Sequence, residues 1–546
     1  MMKNLNRKQT LGIGRLNQRF IYMVGGGAVV EQFHLPALKN LGIDASAIVI
    51  EPNRTQASKL KKKFNQTKIF SLSLEEYIGV YGALKTDSLA IVSVPNYLHV
   101  RTVELLLKSK IHVMCEKPLA MDSESCLRLE MTAKQEGVQL CVGMVRRLIP
   151  GILALKKELA ENSVGKITGI SIEDGCPYSW VSESGSVFDV RNGGVLSDMG
   201  SHYLDLLTYL FGENIMPVRY QDNSAGGVET DLIYDLSVND SIPVNLKLSW
   251  IRNLKNRVLI EGEKGRLILE KDNFEYCIKS LKSKNKTERV LFEKPFASGN
   301  LDFVFESCFT EQIYRFINQI NHQVIQLPSA ADASKVCGII QWAYQKKHDL
   351  EKKDRIQIRQ IKHKTSVAVT GGTGFIGSHL IERIYRDGNS RVIVPVRSHR
   401  TAFNIAKFPV ELKKYDLLNY QSTKDALSDC DVVYHLAYGA SGNNASSVTI
   451  QGTKNVVEAA IENKAKCVLI LSSMWVFDRT SKNGIISEDT AYSQSGTEYI
   501  RSKILMEKYC LERSTSSGGT KIIVLNPSCV YGPMGRAYTK IPWDLS

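Results

Sequence analysis

Short apolar runs alternate with longer amphipathic stretches over residues 20–142, and the same alternation returns over residues 366–526. The first set of runs is 20–24, 47–50, 89–94, 112–115 and 139–142; the second is 367–370, 391–396, 432–436, 467–472 and 521–526. A run that is apolar at every position is a strand covered on both faces. Helical stretches between such strands supply the cover, so both regions predict parallel sheets. Over residues 146–347 the period changes. Val244-Asn245-Leu246-Lys247-Leu248-Ser249-Trp250 alternates apolar and polar, as a strand with one wet face does. Residues 256–269 read as two short strands around Gly262-Glu263-Lys264-Gly265. A polar connector rich in lysine and arginine is expected over 348–364.

Both parallel regions open on a glycine-rich turn, roughly 345 residues apart. Val24-Gly25-Gly26-Gly27 closes the first strand. Thr370-Gly371-Gly372-Thr373-Gly374-Phe375-Ile376-Gly377 follows the other. Glycine between a buried strand and a helix lets the backbone approach a pyrophosphate, and the helix N-terminus offers free N–H groups to the anion. Gly25, Gly27, Gly371, Gly374, Phe375, Ile376 and Gly377 are therefore candidate cofactor contacts. The two spacings differ, so the turns belong to different variants of one design. The fold class is read as α/β: two Rossmann-type parallel-sheet modules, the first followed by an α+β domain with a mainly antiparallel sheet. The boundaries are read as 18–145 for the first nucleotide-binding sheet, 146–347 for the α+β substrate domain, 348–364 for the linker and 365–546 for the second nucleotide-binding sheet.

A chain of 546 residues accommodates three or four domains at about 150 residues each. No apolar run approaches the ~20 residues that span a bilayer, and residues 1–19 lack an apolar signal-peptide core. No membrane association and a cytoplasmic location are expected. The 11 cysteines are scattered with no Cys-x-x-Cys pair, so reduced thiols and no metal are expected. The net charge of +14 is spread over several segments without interleaved aromatics, which argues against a nucleic-acid partner. A basic surface also helps to capture anionic sugar nucleotides.

In the first half, chemistry concentrates in three segments: Ser93-Val94-Pro95-Asn96-Tyr97-Leu98-His99, Cys115-Glu116-Lys117-Pro118-Leu119, and Gly193-Gly194-Val195-Leu196-Ser197-Asp198-Met199-Gly200-Ser201-His202. Lys117 falls at a strand's C-terminal end, where open α/β sheets bind ligands. Its ammonium can polarise a substrate hydroxyl. Asp198 and His202 are four apart, so on a helix they face one way. A histidine near neutral pKa can take a hydroxyl proton. A surface lysine and a structural Asp–His pair are the alternative reading. With His34-Leu35-Pro36-Ala37-Leu38, these segments closely resemble the Gfo/Idh/MocA oxidoreductases over residues 18–347. The resemblance implies Lys117 and His202 as an acid/base pair and Asp198 as a group that orients or contacts the substrate. It places Pro95, Asn96, His99 and Glu116 among the cofactor contacts. Val30 departs from the pattern, which has glycine or alanine there, and is expected to loosen helix–strand packing or crowd the cofactor. Glu51, 24 residues after Gly27, can bond a ribose diol and repel a 2′-phosphate, which favours NAD(H), with nearby Arg54 acting against it. A solvated turn glutamate is the alternative.

In the second half, Gly371-x-x-Gly374-x-x-Gly377 is followed by Asp416-Leu417, His435-Leu436-Ala437, Ser472-Ser473, Tyr499-Ile500-Arg501-Ser502-Lys503, Asn526-Pro527 and Val530-Tyr531-Gly532-Pro533. Tyr499 and Lys503 are one helical turn apart, and an ammonium beside a phenol favours phenolate. In this order the set resembles the extended short-chain dehydrogenase/reductases, of NAD(P)-dependent epimerase/dehydratase type, from about residue 365 onward. The resemblance implies that Tyr499 exchanges the proton, that Ser473 bonds the same oxygen, and that Lys503 also holds the nicotinamide ribose. Asp416, Leu417 and Ala437 are implied cofactor contacts. Sugar-nucleotide dehydratases carry Asp-Glu after the catalytic hydroxyl residue; Met474 and Trp475 stand here, which argues against dehydration. Arg397, with Arg400, suits a 2′-phosphate. NADP(H) or NAD(H) is expected in this half, with a solvated loop arginine as the alternative reading of Arg397.

The sequence thus reads as a bifunctional sugar or sugar-nucleotide oxidoreductase, expected to form a homo-oligomer. A non-catalytic NAD(P)-sensing regulator is the alternative, and the intact Lys117, Asp198, His202, Ser473, Tyr499 and Lys503 argue against it. The chain ends 13 residues after Pro533, so the substrate-gripping cap of the second family is expected to be missing.

Overall fold

The computed structural model describes residues 19–180, 185–212, 214–271, 273, 275–283, 286–292, 305–322, 324, 326–355, 365–439, 444–478, 485–533 and 535. Two compact units divide the chain: Met1–Asn223 with Glu229–Lys353, and Ser224–Val228 with Asp354–Ser546.

The first unit opens on six parallel strands, β1 (Ile21–Val24), β2 (Ala47–Ile50), β3 (Lys68–Phe70), β4 (Leu89–Val92), β5 (His112–Glu116) and β6 (Leu140–Gly143). Their order is β3-β2-β1-β4-β5-β6. Every residue of β1, β2 and β4 is buried, as two-sided cover requires. The order reverses between β1 and β4, and a crevice opens outside the strand ends at such a switch point. Gly25 turns the chain there with φ +94°, and a Cβ on it would meet the Ser93 carbonyl oxygen at 2.2 Å. Only glycine fits.

The same unit continues with β7 (Ile167–Gly175), β8 (Ile215–Asp222), β9 (Asp231–Val238), β10 (Ile242–Ser249), β11 (Arg257–Gly262), β12 (Gly265–Glu270), β13 (Tyr276–Leu281) and β14 (Lys286–Leu291). They form one sheet in the order β14-β13-β12-β11-β7-β10-β9-β8. Only the β7–β10 pair is parallel. Burial alternates along β9, with Leu232, Tyr234, Leu236 and Val238 inward. The helices Phe305–His322 and Ala330–Arg355 then return to the first sheet. Ala330, Ala333 and Cys337 complete a core with Leu129 and Val142, and Phe309 stacks on Phe33 at 4.6 Å between centroids.

The second unit holds β15 (Thr365–Thr370), β16 (Ser390–Val396), β17 (Glu411–Lys414), β18 (Val432–His435), β19 (Cys467–Leu471) and β20 (Lys521–Leu525). All are parallel, in the order β17-β16-β15-β18-β19-β20. The expected fold class holds: two parallel sheets, with a mainly antiparallel one following the first.

The differences have local causes. β3 and β17 were not expected, because each is an edge strand of only three or four residues. The connector read from 348 is corrected: helix Ala330–Arg355 runs through its first eight positions, since Lys-Lys-His-Asp-Leu-Glu-Lys-Lys-Asp-Arg is rich in helix formers. Residues 356–364 and the C-terminal 536–546 lie outside the described residues. Val30 is fully buried and opens a π-helical turn, Val30–His34, so a bulged helix takes up the larger side chain. No helix among the described residues is long and apolar enough to cross a membrane.

Gly25→Ala should therefore weaken both stability and cofactor affinity. An imposed αL-side conformation costs about 1–3 kcal/mol, and the backbone clash adds to it. Thermal unfolding and NADH titration read the two effects; a variant with unchanged midpoint and unchanged affinity contradicts this account of the turn.

Candidate active sites

Lys117 follows the last residue of β5 and precedes a cis Pro118. Its Nζ donates to Asp198 twice, to Oδ1 and to the backbone carbonyl, each at 2.9 Å. The lysine side chain is 12% exposed and the aspartate 48%, so the pair stands at the crevice wall with the carboxylate toward solvent. Asp198 lies in a π-helical turn, Leu196–Gly200, and His202 in the helix Ser201–Phe211. The wider turn changes the expected one-face relation, and no hydrogen bond joins the two among the described residues. Lys117 links them instead. Burial, then the Lys117 and Arg146 cations, push the His202 imidazole well below its usual value. It is neutral at pH 7, and its ring can accept a hydrogen bond. Tyr178, raised by burial and then by Asp198, lies near the same carboxylate.

The turn that carries Asp198 is held from behind by Glu229. This buried carboxylate accepts from Gly194 N at 3.0 Å, Leu196 N at 3.1 Å and the Tyr344 hydroxyl at 2.7 Å. A Cβ on Gly194 would meet the Glu229 carbonyl oxygen at 2.2 Å. Burial, with Asp222 adding to it, pushes the Glu229 carboxyl up to about 7. The hydrogen bonds pull the other way and are outweighed.

The cofactor cradle is built around the β1 turn. Gly27 faces open space, so nothing blocks backbone approach there. Glu51 sits beneath the turn: Oε2 accepts from Gly26 N and Oε1 from Asn53 N, both at 2.7 Å. Glu116 accepts from His34 Nε2 at 2.7 Å. Burial alone would raise its carboxyl, yet His34 and Lys117 hold it below the usual range. Pro95 precedes the helix Asn96–Lys108, and Asn96 Nδ2 donates to the Asn192 carbonyl at 2.9 Å. His99 is 1% exposed, with Nδ1 against the Pro118 carbonyl at 2.8 Å and Nε2 against that of Val94 at 2.9 Å. It ties the β4 and β5 loops together from below rather than facing the crevice.

In the second unit, Gly371 has φ +70° and lies under the strand-end loop, where a Cβ would meet Ala437 N at 2.7 Å. On Gly377 a Cβ would meet the Gly371 carbonyl oxygen at 2.3 Å. The helix Phe375–Asp387 starts on Gly374 without a side-chain cap, which leaves the first N–H groups of Phe375, Ile376 and Gly377 for an anion. Arg397 and Arg400 are exposed just past β16, and Asn404 Nδ2 anchors their loop to the Thr373 carbonyl at 3.0 Å. Asp416 is exposed, its Oδ1 accepting from Leu418 N at 3.0 Å. Leu417 packs on Gly452, and its carbonyl accepts from Asn455 Nδ2 at 2.9 Å.

Tyr499 and Lys503 share one face of the helix Glu498–Ser514. The Lys503 ammonium lies 6.0 Å from the Tyr499 ring centroid and 5.4 Å from that of Tyr438, and donates to the Leu471 carbonyl at 2.7 Å. Burial pushes Lys503 down to about 8. Ser473 is 7% exposed at the end of β19, its Oγ accepting from Trp475 N at 3.3 Å. His435 bridges Thr370 Oγ1 at 2.7 Å and Thr453 Oγ1 at 2.9 Å. Burial and then Lys503 push it down to about 3, so it braces the sheet as a neutral ring.

Glu229, Tyr344, Arg146 and Tyr438 were not singled out from the sequence. Arg146-Arg147 shortly after β6, and Tyr438 directly after His435-Leu436-Ala437, were the available signals; Glu229 and Tyr344 lie in no motif. Among the described residues, no group of three His, Cys, Asp or Glu side chains is placed to hold a metal ion.

Family models match three segments: "Oxidoreductase family, NAD-binding Rossmann fold" over residues 20–144, "GFO/IDH/MocA C-terminal domain" over 152–268, and "NAD dependent epimerase/dehydratase family" over 367–545. Both resemblances read from the motifs therefore stand, as a fusion in one chain. Cinnamoyl-CoA reductase 1 of Petunia hybrida is 30% identical over 31% of this chain and 55% of its own length. Glucose-6-phosphate 3-dehydrogenase of Bacillus subtilis is 24% identical over 44% of this chain and 65% of its own length. The chain thus spans about half to two thirds of these curated relatives. A solved levoglucosan dehydrogenase, in complex with NADH and levoglucosan, aligns over 61% of this chain and 97% of its own with TM-score 0.52 and 17% identity. An oxidoreductase domain protein from Kribbella flavida aligns equally far, with TM-score 0.51 and 19% identity. At such identities the likeness is one of fold.

The raised Glu229 carboxyl generates a pH prediction. Its native value of about 7 lies above the ordinary 4.5, so the group favours the native state fully below pH 4.5, and that contribution is lost as pH rises through 7. Relative to Glu229→Gln, the wild-type chain should lose on the order of 3 kcal/mol across this window, at ~1.4 kcal/mol per unit. Denaturant unfolding at pH 4.5 and pH 8 measures it; a stability difference that does not move with pH rejects the assignment.

Proposed function

We propose that the first unit is an NAD(H)-dependent oxidoreductase that interconverts a sugar carbinol and its ketone. The contact between Lys117 and Asp198 beside a neutral His202 carries this reading. The nicotinamide, when bound, supplies or takes the hydride. His202 accepts the hydroxyl proton in the oxidation and returns it in reduction, while the Lys117 ammonium polarises the same oxygen. Asp198 keeps that ammonium in place and offers a carboxylate oxygen to a neighbouring hydroxyl. The open face of Gly27 and the helix start beyond it fit a pyrophosphate. The carboxylate of Glu51 retains free lone pairs beside the turn for a ribose diol. Relatives that act on glucose 6-phosphate and levoglucosan support a sugar as substrate class.

The second unit is proposed to reduce or epimerise a keto-sugar or sugar nucleotide with NADP(H). Tyr499 exchanges a proton with the substrate oxygen, Ser473 bonds that oxygen, and Lys503 steadies both the phenol and the nicotinamide ribose. Exposed just past β16, Arg397 and Arg400 are guanidinium groups of the kind that pairs with a 2′-phosphate. The matched epimerase/dehydratase family supports the chemistry.

Lys117→Ala should cut turnover of the first unit by about 10²- to 10⁴-fold while NADH binding stays within a few-fold. Near-wild-type turnover on a sugar that the parent oxidises removes Lys117 from the mechanism.

Cofactor preference gives a second check. In the intact chain, Arg397→Ala should lose roughly tenfold in NADPH affinity, the ~1.4 kcal/mol of one charge-assisted bond, and Glu51→Ala should weaken NADH binding similarly. Fluorescence titration distinguishes the sites; equal loss for both cofactors in either variant defeats that half of the assignment.

A further inference from the structure

We propose that the first unit's site takes a sugar carrying an anionic group on the reacting sugar itself, a phosphate monoester or a carboxylate, and that Arg146 binds it. This rests on the carbinol–ketone reading above. Arg146 lies in the loop after β6, on the C-terminal side of the sheet where the crevice opens. It is half-buried, and among the described residues no carboxylate forms an ion pair with it. Other cations of this domain are paired. Arg147 holds Asp205 through both Nε and Nη2, with contacts of 2.7 to 3.1 Å. Lys117 holds Asp198, and Lys271 holds Asp174 at 2.5 Å. The Arg146 guanidinium instead lies 4.9 Å from the Tyr203 ring centroid, and the Tyr203 hydroxyl is committed to Asp174 at 2.8 Å.

A guanidinium withdrawn from water without a counter-charge is unfavourable in the free protein and becomes favourable when an anion arrives. Its planar fork pairs with two oxygens of a phosphate or carboxylate at once. The position sets the scale of the ligand. The Val145–Leu148 turn that carries Arg146 packs on the helix Ser201–Phe211, where His202 adjoins the Tyr203 that Arg146 faces, and in the proposed reaction His202 meets the hydroxyl being oxidised. The anion it reaches therefore belongs to the same sugar, not to the far end of a nucleotide. The Tyr203 side chain holds one side of the guanidinium, by its ring and its hydroxyl, and the five-donor fork has further N–H groups to offer an anion.

The test uses the full-length chain and Arg146→Met, with NAD⁺ and four substrate classes: hexose 6-phosphates, hexuronates, uridine diphosphate hexoses and neutral hexoses. The parent should favour one of the first two, and the variant should lower its kcat/KM ratio over neutral hexose by at least tenfold, mainly through KM. Which of the two is preferred separates phosphate from carboxylate. If the parent prefers neutral or uridine diphosphate hexoses, or if the variant slows charged and neutral substrates equally, the proposal fails, since Arg146 then acts only through His202 or the fold. If no sugar is oxidised, the reading of the reaction fails, and calorimetric titration of glucose 6-phosphate and glucuronate into the chain with NADH still decides the anion site. Binding of either that weakens at least tenfold in Arg146→Met supports it; no binding, or equal binding by both proteins, overturns it.

Discussion

A lysine at the end of a parallel strand cannot satisfy its ammonium from its own sheet, because strand ends in an open α/β layer face the crevice. Lys117 finds its acceptors in Asp198, far along the chain, and much of the first unit is arranged to keep Asp198 there. The π-helical turn Leu196–Gly200 presents both the carboxylate and the carbonyl to one ammonium. Glu229 fixes the entry to that turn through Gly194 and Leu196, and Tyr344 fixes Glu229. Tyr344 belongs to the returning helix Ala330–Arg355, whose early residues close the core of the first sheet. The contact at the crevice is thus continuous with the packing that holds sheet and returning helix together.

The two parallel sheets were legible because strands covered on both faces leave a dense signal. Runs such as Ile-Tyr-Met-Val and Ala-Ile-Val-Ile have no other comfortable place in a soluble α/β layer. β3 and β17 were not, since an edge strand of three or four residues is specified by its neighbour's hydrogen bonds more than by its own side chains. The roles of Lys117 and Tyr499 were suggested by position at a strand end and on a helix face. What the motifs concealed was support. Glu229 and Tyr344 reach the site through tertiary folding alone, and His99, counted among the cofactor contacts, lies beneath two loops with both ring nitrogens against carbonyls. Spacing also misleads where a helix bulges: Asp198 and His202 are four apart, yet a π turn lies between them.

The two glycine turns reach the same end by different anchoring. In the first, Glu51 locks the turn from below through Gly26 N, so the residue read as a ribose contact is also part of the turn's own scaffold. In the second, glycine crowding does this work: Gly371 lies under Ala437, and Gly377 against Gly371. His435, strung between Thr370 and Thr453, braces the strand ends without charge. A carboxylate lies under one turn and two exposed arginines follow the strand beside the other, so the side chains nearest the two turns carry opposite charge, and the cofactor preferences proposed above rest on that contrast.

Desolvation sets the protonation states in both units, but it acts on different partners. In the first, burial and two cations disfavour the imidazolium of His202, so the ring is neutral before substrate arrives. In the second, burial brings Lys503 to about 8. At pH 7 the ammonium persists, close to the point of losing its proton, beside the rings of Tyr438 and Tyr499. One site therefore holds a neutral imidazole and a paired ammonium, and the other an ammonium beside a phenol. On the proposed reading of the first, a His202 ring nitrogen takes the substrate proton. On the proposed reading of the second, Tyr499 exchanges the proton, and the neighbouring Lys503 ammonium eases that exchange by favouring phenolate.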